Sequence, residues 1–239
     1  MTSLRAFGAS LALTIAFAAT AAAQARPIGI THVTVLDLEQ GKRLRDQTVV
    51  IEAERISTIG PSSQVRVPDG YGIVEGRGKF IIPGFIASIA PIENVRSLSS
   101  FLGNGITTVV AAPERTRGKP NTMQPLGGPS PEPRITVSDQ PGAAIGIATA
   151  PSIHDSLEAL VRRGTTPERV LRGATVDAAR TLGLQRELGA VAVGKLADFL
   201  VLDDNPLDDI RRTRSISALV IHGRFIDATE LARLAATRP

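Results

Sequence analysis

The strongest constraint on the fold is the short stretch of chain between two β-rich ends. Short β-type runs separated by turn signals fill residues 27–82, and the same character returns at 199–226. Only about 100 positions, residues 85–184, lie between them. Neither end has enough strands to bury both faces of a sheet, so we expect the two ends to pair with each other. The turns within 27–82 predict an antiparallel meander.

The middle segment alternates strand and helix patterns, which is typical of an α/β layer. We expect strands at 106–112 and 135–138 and a helix at 92–102. A second helix face is formed by Ile153, Leu157, Leu160 and Val161.

Capping residues mark two more helices. Thr166 is an N-cap followed by Pro167 at the first helical position, and Asp177 is predicted to cap a short helix that ends at Gly183. A last helix is expected at 230–236. Residues 113–133 contain six prolines and three glycines without apolar periodicity, which predicts a surface linker.

The N-terminus has the pattern of a secretory signal peptide. Arg5 precedes an apolar run shorter than the ~20 residues that span a bilayer, and small residues follow at 21–25. We expect cleavage before Arg26, a periplasmic or secreted protein, and no membrane anchor afterwards. Because the chain has no cysteine, it has neither a lipid-modified cysteine nor disulfides.

Charge and aromatic content argue against nucleic acid as a partner. The net charge is only +4, and aromatic residues make up 3% of the chain, too few for a base-stacking platform. The pairs Arg162-Arg163 and Arg211-Arg212 are interpreted as solvated surface residues.

Three stretches carry a family resemblance. Residues 78–86 read Gly-Lys-Phe-Ile-Ile-Pro-Gly-Phe-Ile, residues 166–184 contain the Thr-Pro-Glu helix start, and residues 194–199 read Gly-Lys-Leu-Ala-Asp-Phe. Together they resemble the amidohydrolase superfamily, in particular its periplasmic, imidazolonepropionase-like branch. The resemblance implies an α/β plus β fold, in which a composite β-sandwich from both ends of the chain flanks a (β/α)₈ barrel. It also implies hydrolysis of C–N bonds with a divalent metal such as zinc.

On this basis we divide the chain into four parts. A signal peptide occupies 1–25, and the N-terminal half of the composite β domain occupies 26–84. A truncated barrel remnant with its linker at 113–133 follows at 85–184, and residues 185–239 form the C-terminal half of the β domain. A closed barrel takes ~250 residues and at least ~200, so most of its strands are missing here.

The sequence departs from the family where the resemblance implies metal ligands. The family carries Asp-x-His-x-His after the Pro-Gly-Phe-Ile stretch, whereas this chain has Ala87, Ile89 and Pro91. None of these side chains can donate a lone pair to zinc. Strands three to seven, which hold the family's carboxylated lysine and two further histidines, are replaced by the linker, where Lys119 is interpreted as solvated.

One catalytic position of the family is matched. Asp139, after the strand at 135–138, stands where the family's metal-binding and proton-accepting aspartate would be. Without a metal-bound water it has no proton to accept, and it is equally well explained as the cap of an Asp-Gln-Pro-Gly turn. We therefore treat Asp139 as a vestigial catalytic residue.

The three histidines do not supply a replacement metal site. His32 lies in the first strand, His154 begins the helix after 135–138, and His222 lies beside a turn near the C-terminus. A zinc site needs three or four converging ligands, and these residues belong to different layers of the expected fold. We accordingly expect no metal or other cofactor.

Three functional hypotheses stay open. The first is a catalytically inactive pseudoenzyme or binding remnant that lacks the metal site. The second is a hydrolase of non-peptide or cyclic amide C–N bonds whose missing ligands come from a partner chain, because half-barrels leave open strands that favour self-association or a partner subunit. The third is an unstable gene remnant.

Overall fold

The computed structural model describes residues 26–88, 98–111, 123–124, 131–137, 145–146 and 152–236. The signal-peptide prediction at 1–25 lies outside this set. The elements are, in chain order, β1 Ile28–Asp37, β2 Lys42–Glu52, β3 Arg55–Pro61, β4 Gly72–Glu75, β5 Phe80–Pro83, β6 Phe85–Ser88, α1 Ser99–Leu102, β7 Ile106–Ala111, β8 Met123–Gln124, β9 Arg134–Val137, β10 Ile145–Gly146, α2 Ser152–Arg162, α3 Pro167–Ala174, α4 Val176–Thr181, β11 Phe199–Leu202, a 3₁₀ helix Ile210–Arg214, β12 Ile216–Ile221, β13 Arg224–Asp227 and α5 Ala228–Ala236.

The two ends of the chain share one sheet. Its order is β13-β12-β11-β5-β1-β2-β3, with β4 paired to β1 as the eighth strand. The junction between the ends is the antiparallel pair β5–β11, in which Phe80 lies opposite Leu202 and Pro83 opposite Phe199. The predicted pairing of the two ends is therefore observed, whereas their arrangement as a sandwich stays a prediction.

The predicted antiparallel meander is correct only for the first three strands. β1, β2 and β3 are joined as antiparallel neighbours, but β4 and β5 both pair with β1 in parallel. The reason is the connection at 62–71, which carries the chain from the end of β3 back to the start of β1. This connection allows β4 to run in the same direction as β1.

Both faces of this mixed sheet are buried near its centre. All four residues of β11 are buried, and they alternate between two apolar clusters. Phe199 and Val201 pack with β-sheet residues of the first cluster, whereas Leu200 and Leu202 pack in the second, which also contains helix residues. Two-sided burial explains why β11 is a continuous apolar run rather than an alternating one.

A second, five-stranded sheet occupies the middle of the chain, in the order β10-β6-β7-β9-β8. β6, β7 and β9 are parallel neighbours, which confirms the strands predicted at 106–112 and 135–138. Within the predicted linker, β8 pairs antiparallel with β9, so that linker is not wholly irregular. The sequence gives no sign of β8, because a two-residue strand is too short to show an apolar periodicity.

The helix predictions agree with the structure except at one cap. α2 covers the predicted apolar face, the Thr166 hydroxyl accepts a hydrogen bond from the Arg169 N–H, and Gly183 has φ +71° at the end of α4. The prediction that Asp177 is an N-cap is wrong. Thr175 is the residue before α4, and Asp177 lies within the first turn, where its carboxylate accepts hydrogen bonds from Arg172 and Arg180.

The two other predicted helices are observed with different bounds: the first is described over fewer residues than predicted, and the second is longer. The helix expected at 92–102 is described only at α1, because 89–97 lie outside the described residues. The last helix, α5, begins two residues earlier than expected, and the Asp227 carboxylate accepts a hydrogen bond from the Glu230 N–H. No helix among the residues that the structure describes is long and apolar enough to cross a membrane.

The two sheets meet at Gly84, the single residue between β5 and β6. Its N–H donates to the Asp198 carbonyl oxygen at 3.0 Å. A Cβ atom at this position would lie 2.1 Å from the Thr107 hydroxyl oxygen on β7. Only glycine therefore permits this close passage from the mixed sheet into the parallel one.

A buried threonine on β9 leads to a stability prediction. The Thr136 hydroxyl is buried and has no hydrogen-bond partner among the described residues, whereas the Thr175 hydroxyl, also buried, donates to the Leu171 carbonyl at 2.7 Å. An unsatisfied buried hydroxyl costs roughly 1–3 kcal/mol. We expect Thr136→Val to raise the melting temperature by about 2–4 °C and the matched control Thr175→Val to lower it. Equal losses in both variants would contradict the assignment of Thr136 as unsatisfied.

Candidate functional site

The site implied by the sequence lies where the parallel strands end. β6, β7 and β9 run side by side in the same direction, so their carboxyl ends meet at one edge of the sheet. Ile89 and Pro91 follow β6, and Ser138 and Asp139 follow β9. These four residues and Lys119 lie outside the described residues. The structure therefore places the strands that lead to the predicted site and not Asp139 itself.

One face of the strands leading to this edge is apolar. Ala87 on β6 lies opposite Val109 on β7, which in turn lies opposite Ile135 on β9. All three side chains belong to one buried apolar cluster, and Ala87 and Val109 are fully buried. Ala87, Val109 and Ile135 thus form an apolar row across three adjacent strands, and Ala87 occupies the position at which the resemblance implies an aspartate.

The described parts of the chain contain no group of three or more histidine, cysteine, aspartate or glutamate side chains that could hold a metal ion. His32 Nδ1 lies 2.8 Å from Asp46 Oδ1, and this hydrogen bond lowers the pKa of the Asp46 carboxyl. His222 Nε2 donates to the Glu132 carbonyl oxygen at 3.1 Å. These two histidines therefore have separate polar partners.

His154 is buried in the first turn of α2. Its Nδ1 lies 3.0 Å from the Thr213 hydroxyl oxygen, and its ring meets the Phe85 ring edge-on with 6.1 Å between centroids. The Thr213 hydroxyl donates to the Ile210 carbonyl oxygen, so we assign the hydrogen to Nδ1 of His154. Burial, and secondarily the charge of Arg214, lowers the pKa of His154 to about 4. The ring is therefore neutral at pH 7.

A group of four charged or titratable residues, which sequence analysis did not single out, lies between the two sheets. We call Glu54, Arg134, Asp198 and His222 the seam cluster. Arg134 Nε donates to Asp198 Oδ2 at 2.6 Å, and its Nη2 donates to Asp198 Oδ1 at 3.2 Å and to Glu54 Oε2 at 2.8 Å. His222 Nδ1 lies 3.6 Å from Glu54 Oε2. The Arg134 guanidinium thus contacts two carboxylates, and His222 lies beside one of them.

The centre of the seam cluster is closed to solvent. The Arg134 and Asp198 side chains are 7% and 1% exposed, whereas Glu54 is 49% exposed. Burial disfavours the charge on Arg134, but the Asp198 carboxylate and the hydrogen bonds to Asp198 and Glu54 hold the pKa of Arg134 above its usual range. A signal for this pair exists in the sequence, because Asp198 and Arg134 are charged residues directly beside buried apolar strands.

Comparison with known proteins shows similarity to one family over part of the chain. A family model described as the amidohydrolase family matches residues 135–226, which include β9, the helices α2 to α4 and the β11–β13 strands. Over these residues the chain is similar to the amidohydrolases. The match also covers the Gly-Lys-Leu-Ala-Asp-Phe stretch at 194–199, one of the three stretches that carry the resemblance.

Local sequence matches place this chain near enzymes much longer than the matched segments. Imidazolonepropionase from Pseudomonas aeruginosa is 55% identical over 38 residues, which are 16% of this chain and 10% of the enzyme. Ochratoxinase from Aspergillus niger is 39% identical over 72 residues, 28% of this chain and 15% of that protein. The matches thus span only small fractions of both relatives.

Solved structures show the shared fold. A putative prolidase from Bifidobacterium longum aligns with a TM-score of 0.66 and 16% identity over 88% of this chain and 98% of its own. Molinate hydrolase aligns with a TM-score of 0.68 and 13% identity over 90% of this chain and 98% of its own. The chain therefore shares its fold with these proteins over most of its length.

Proposed function

We propose that this amidohydrolase-like chain is a pseudoenzyme that holds no catalytic metal and acts, if it acts, through binding. The observation that carries the proposal is the apolar row of Ala87, Val109 and Ile135 on the three strands that lead to the family's metal site. The sequence continues this apolar character with Ile89 and Pro91 at the two histidine positions.

The chemical reason is the missing nucleophile. Family chemistry needs a water whose pKa is lowered to about 7 by a bound divalent ion. Alanine, isoleucine and proline side chains offer that ion no electron pair. Without a metal-bound water, the Asp139 carboxylate has no sufficiently acidic proton to accept. The pseudoenzyme would therefore keep one catalytic residue of the family but not the reaction.

The proposal includes a location and an architecture. We place the mature protein in the periplasm or outside the cell, after removal of 1–25. We also propose that the mixed sheet is the counterpart of the composite β-sandwich of the family, which the β5–β11 pairing of both chain ends supports. Nucleic acid and membrane are not among the proposed partners.

Asp139→Ala tests whether the retained aspartate still works. We expect a change in unfolding free energy of at most about 1 kcal/mol, as for a lost turn or helix cap, and no hydrolysis of acyl-dipeptides or cyclic ureides by either protein. Melting temperatures are measured with and without chelator, beside the exposed control Asp69→Ala. Any turnover that Asp139→Ala abolishes would overturn the proposal.

A cooperative melt of the wild type would also exclude the hypothesis that the chain is an unstable gene remnant.

The alternative is a hydrolase of non-peptide or cyclic amide C–N bonds, completed by another chain. Its support is the fold shared with molinate hydrolase and the local match to imidazolonepropionase. Self-association cannot complete the site at the His-x-His positions, because every copy carries Ile89 and Pro91. The missing ligands would have to come from a different subunit. Affinity capture from the native host followed by an activity assay on the complex separates this alternative from the pseudoenzyme.

A further inference from the structure

We infer that Arg134 is a latch that holds the mixed sheet and the parallel sheet closed against each other. The inference concerns the fold alone and holds whether or not the proposed function is correct. Arg134 begins β9 of the parallel sheet, whereas its partners Glu54 and Asp198 belong to turns and loops of the mixed sheet. Its guanidinium is therefore a side-chain connection between the two sheets.

The mixed-sheet side of the latch is already assembled from both ends of the chain. The Ala197 N–H donates to the Glu54 carbonyl oxygen at 2.8 Å, and the Ile56 N–H donates to the Lys195 carbonyl oxygen at 3.0 Å. These bonds hold the β2–β3 turn against the segment that delivers Asp198. The Glu54 and Asp198 carboxylates thus meet at one point only when both ends of the chain are in place.

Arg134 is the charge that makes this meeting favourable. Two carboxylates close together repel each other, and Asp198 is almost completely withdrawn from water. Without the guanidinium, the Asp198 carboxylate would be a buried and uncompensated charge, which is strongly destabilising. The easiest relief is to separate β9 from the mixed sheet, because water then reaches Asp198 while the strands of the mixed sheet stay paired.

His222 adds a second contact on the same side. Its Nε2 donates to the carbonyl oxygen of Glu132, two residues before Arg134. It comes from the β12–β13 turn of the mixed sheet, so the approach to β9 is held by a hydrogen bond as well as by the ion pair. The seam cluster thus fixes the position at which β9 begins.

Hydrogen exchange of the full-length mature protein tests the latch. In the wild type we expect the slowest amides of β7 and of β2 to exchange with the same opening equilibrium. In Arg134→Met, exchange in β7 and in β2 is expected to accelerate together, roughly a hundredfold or more, because the closed protein loses the same stabilisation relative to every state in which the sheets have separated. The control is Arg224→Met, which removes the exposed pair with Glu230 and should alter neither strand.

Two further variants distinguish charge from packing and guard against a variant that does not fold. Arg134→Met combined with Asp198→Asn removes the uncompensated charge and should reverse most of the acceleration in β7. Arg134→Lys keeps the charge but cannot make the paired contacts, and we expect an intermediate acceleration. No acceleration in either strand, or a double variant as fast as Arg134→Met, would overturn the inference.

Discussion

Lowering the pH from 7 to 5 is expected to reduce the free energy of unfolding by about 2 kcal/mol through His154 alone. The pKa of His154 falls from 6.5 in the unfolded chain to about 4 in the folded protein, and each unit of difference is worth about 1.4 kcal/mol. Because the folded pKa is the lower one, the unfolded state binds the proton first. The stabilisation is therefore complete above pH 6.5 and is lost as the pH falls towards 4.

The cause lies in the surroundings of the ring. Protonation would place a cation beside Phe85 and near Arg214, and only Asp155 would favour the charge. Between pH 7 and 5 the carboxyls of Asp46, Glu54 and Asp209 contribute little, because their partners lower their pKa values and their contribution is lost only at lower pH.

Chemical denaturation at pH 7 and pH 5 measures this effect, with His154→Gln as the matched control. Glutamine can still donate to the Thr213 hydroxyl but cannot be protonated in this range. We expect the wild type to lose about 2 kcal/mol more than the variant between the two pH values. Equal losses in the two proteins would show that His154 is not the group responsible.

Gly223→Ala is expected to be the most damaging single methyl addition in the mixed sheet. Gly223 has φ +70°, and a Cβ atom there would lie 1.6 Å from the carbonyl oxygen of Ala53. The clash is with backbone, so no side-chain rotation relieves it, and the turns 53–54 and 222–223 would have to separate. We expect a loss of at least about 3 kcal/mol, from overpacking together with left-handed strain.

Thermal melts of Gly223→Ala and Gly183→Ala separate the clash from the strain. Gly183 has nearly the same backbone angle, φ +71°, but nothing lies within 4 Å of the position of its Cβ. Gly183→Ala should therefore cost only the strain of about 1–2 kcal/mol. A Gly223→Ala protein as stable as Gly183→Ala would contradict the close contact between the two turns that joins the ends of the chain.

Local signals in the sequence predicted the elements whose causes are local. The apolar runs at 106–112 and 135–138 and the Thr166-Pro167 helix start have their physical reason within a few residues, and β7, β9 and α3 lie where expected. The pairing of the two ends could also be predicted from the sequence, because neither end has enough strands to bury its own apolar faces.

The features that sequence analysis missed depend on residues far apart in the chain. Arg134 and Asp198 are 64 positions apart, and no periodicity links a charge at the start of β9 to a charge just before β11. The parallel pairing of β4 with β1 depends on the path of 62–71, whose length fits several topologies. The sequence predicts Asp177 as a cap because aspartate favours that position, but Asp177 lies two residues after the N-cap Thr175, where Arg172 and Arg180 donate to its carboxylate.

Metal analysis of the purified mature protein tests the central claim most directly. The protein is produced in medium supplemented with zinc, iron and manganese, dialysed against metal-free buffer and measured by inductively coupled plasma mass spectrometry. If Ala87, Ile89 and Pro91 have removed the family's metal site, all three metals should be far below one equivalent per chain and unchanged in Asp139→Ala. Stoichiometric zinc, iron or manganese that disappears in Asp139→Ala would contradict the pseudoenzyme and restore a metal-dependent hydrolase.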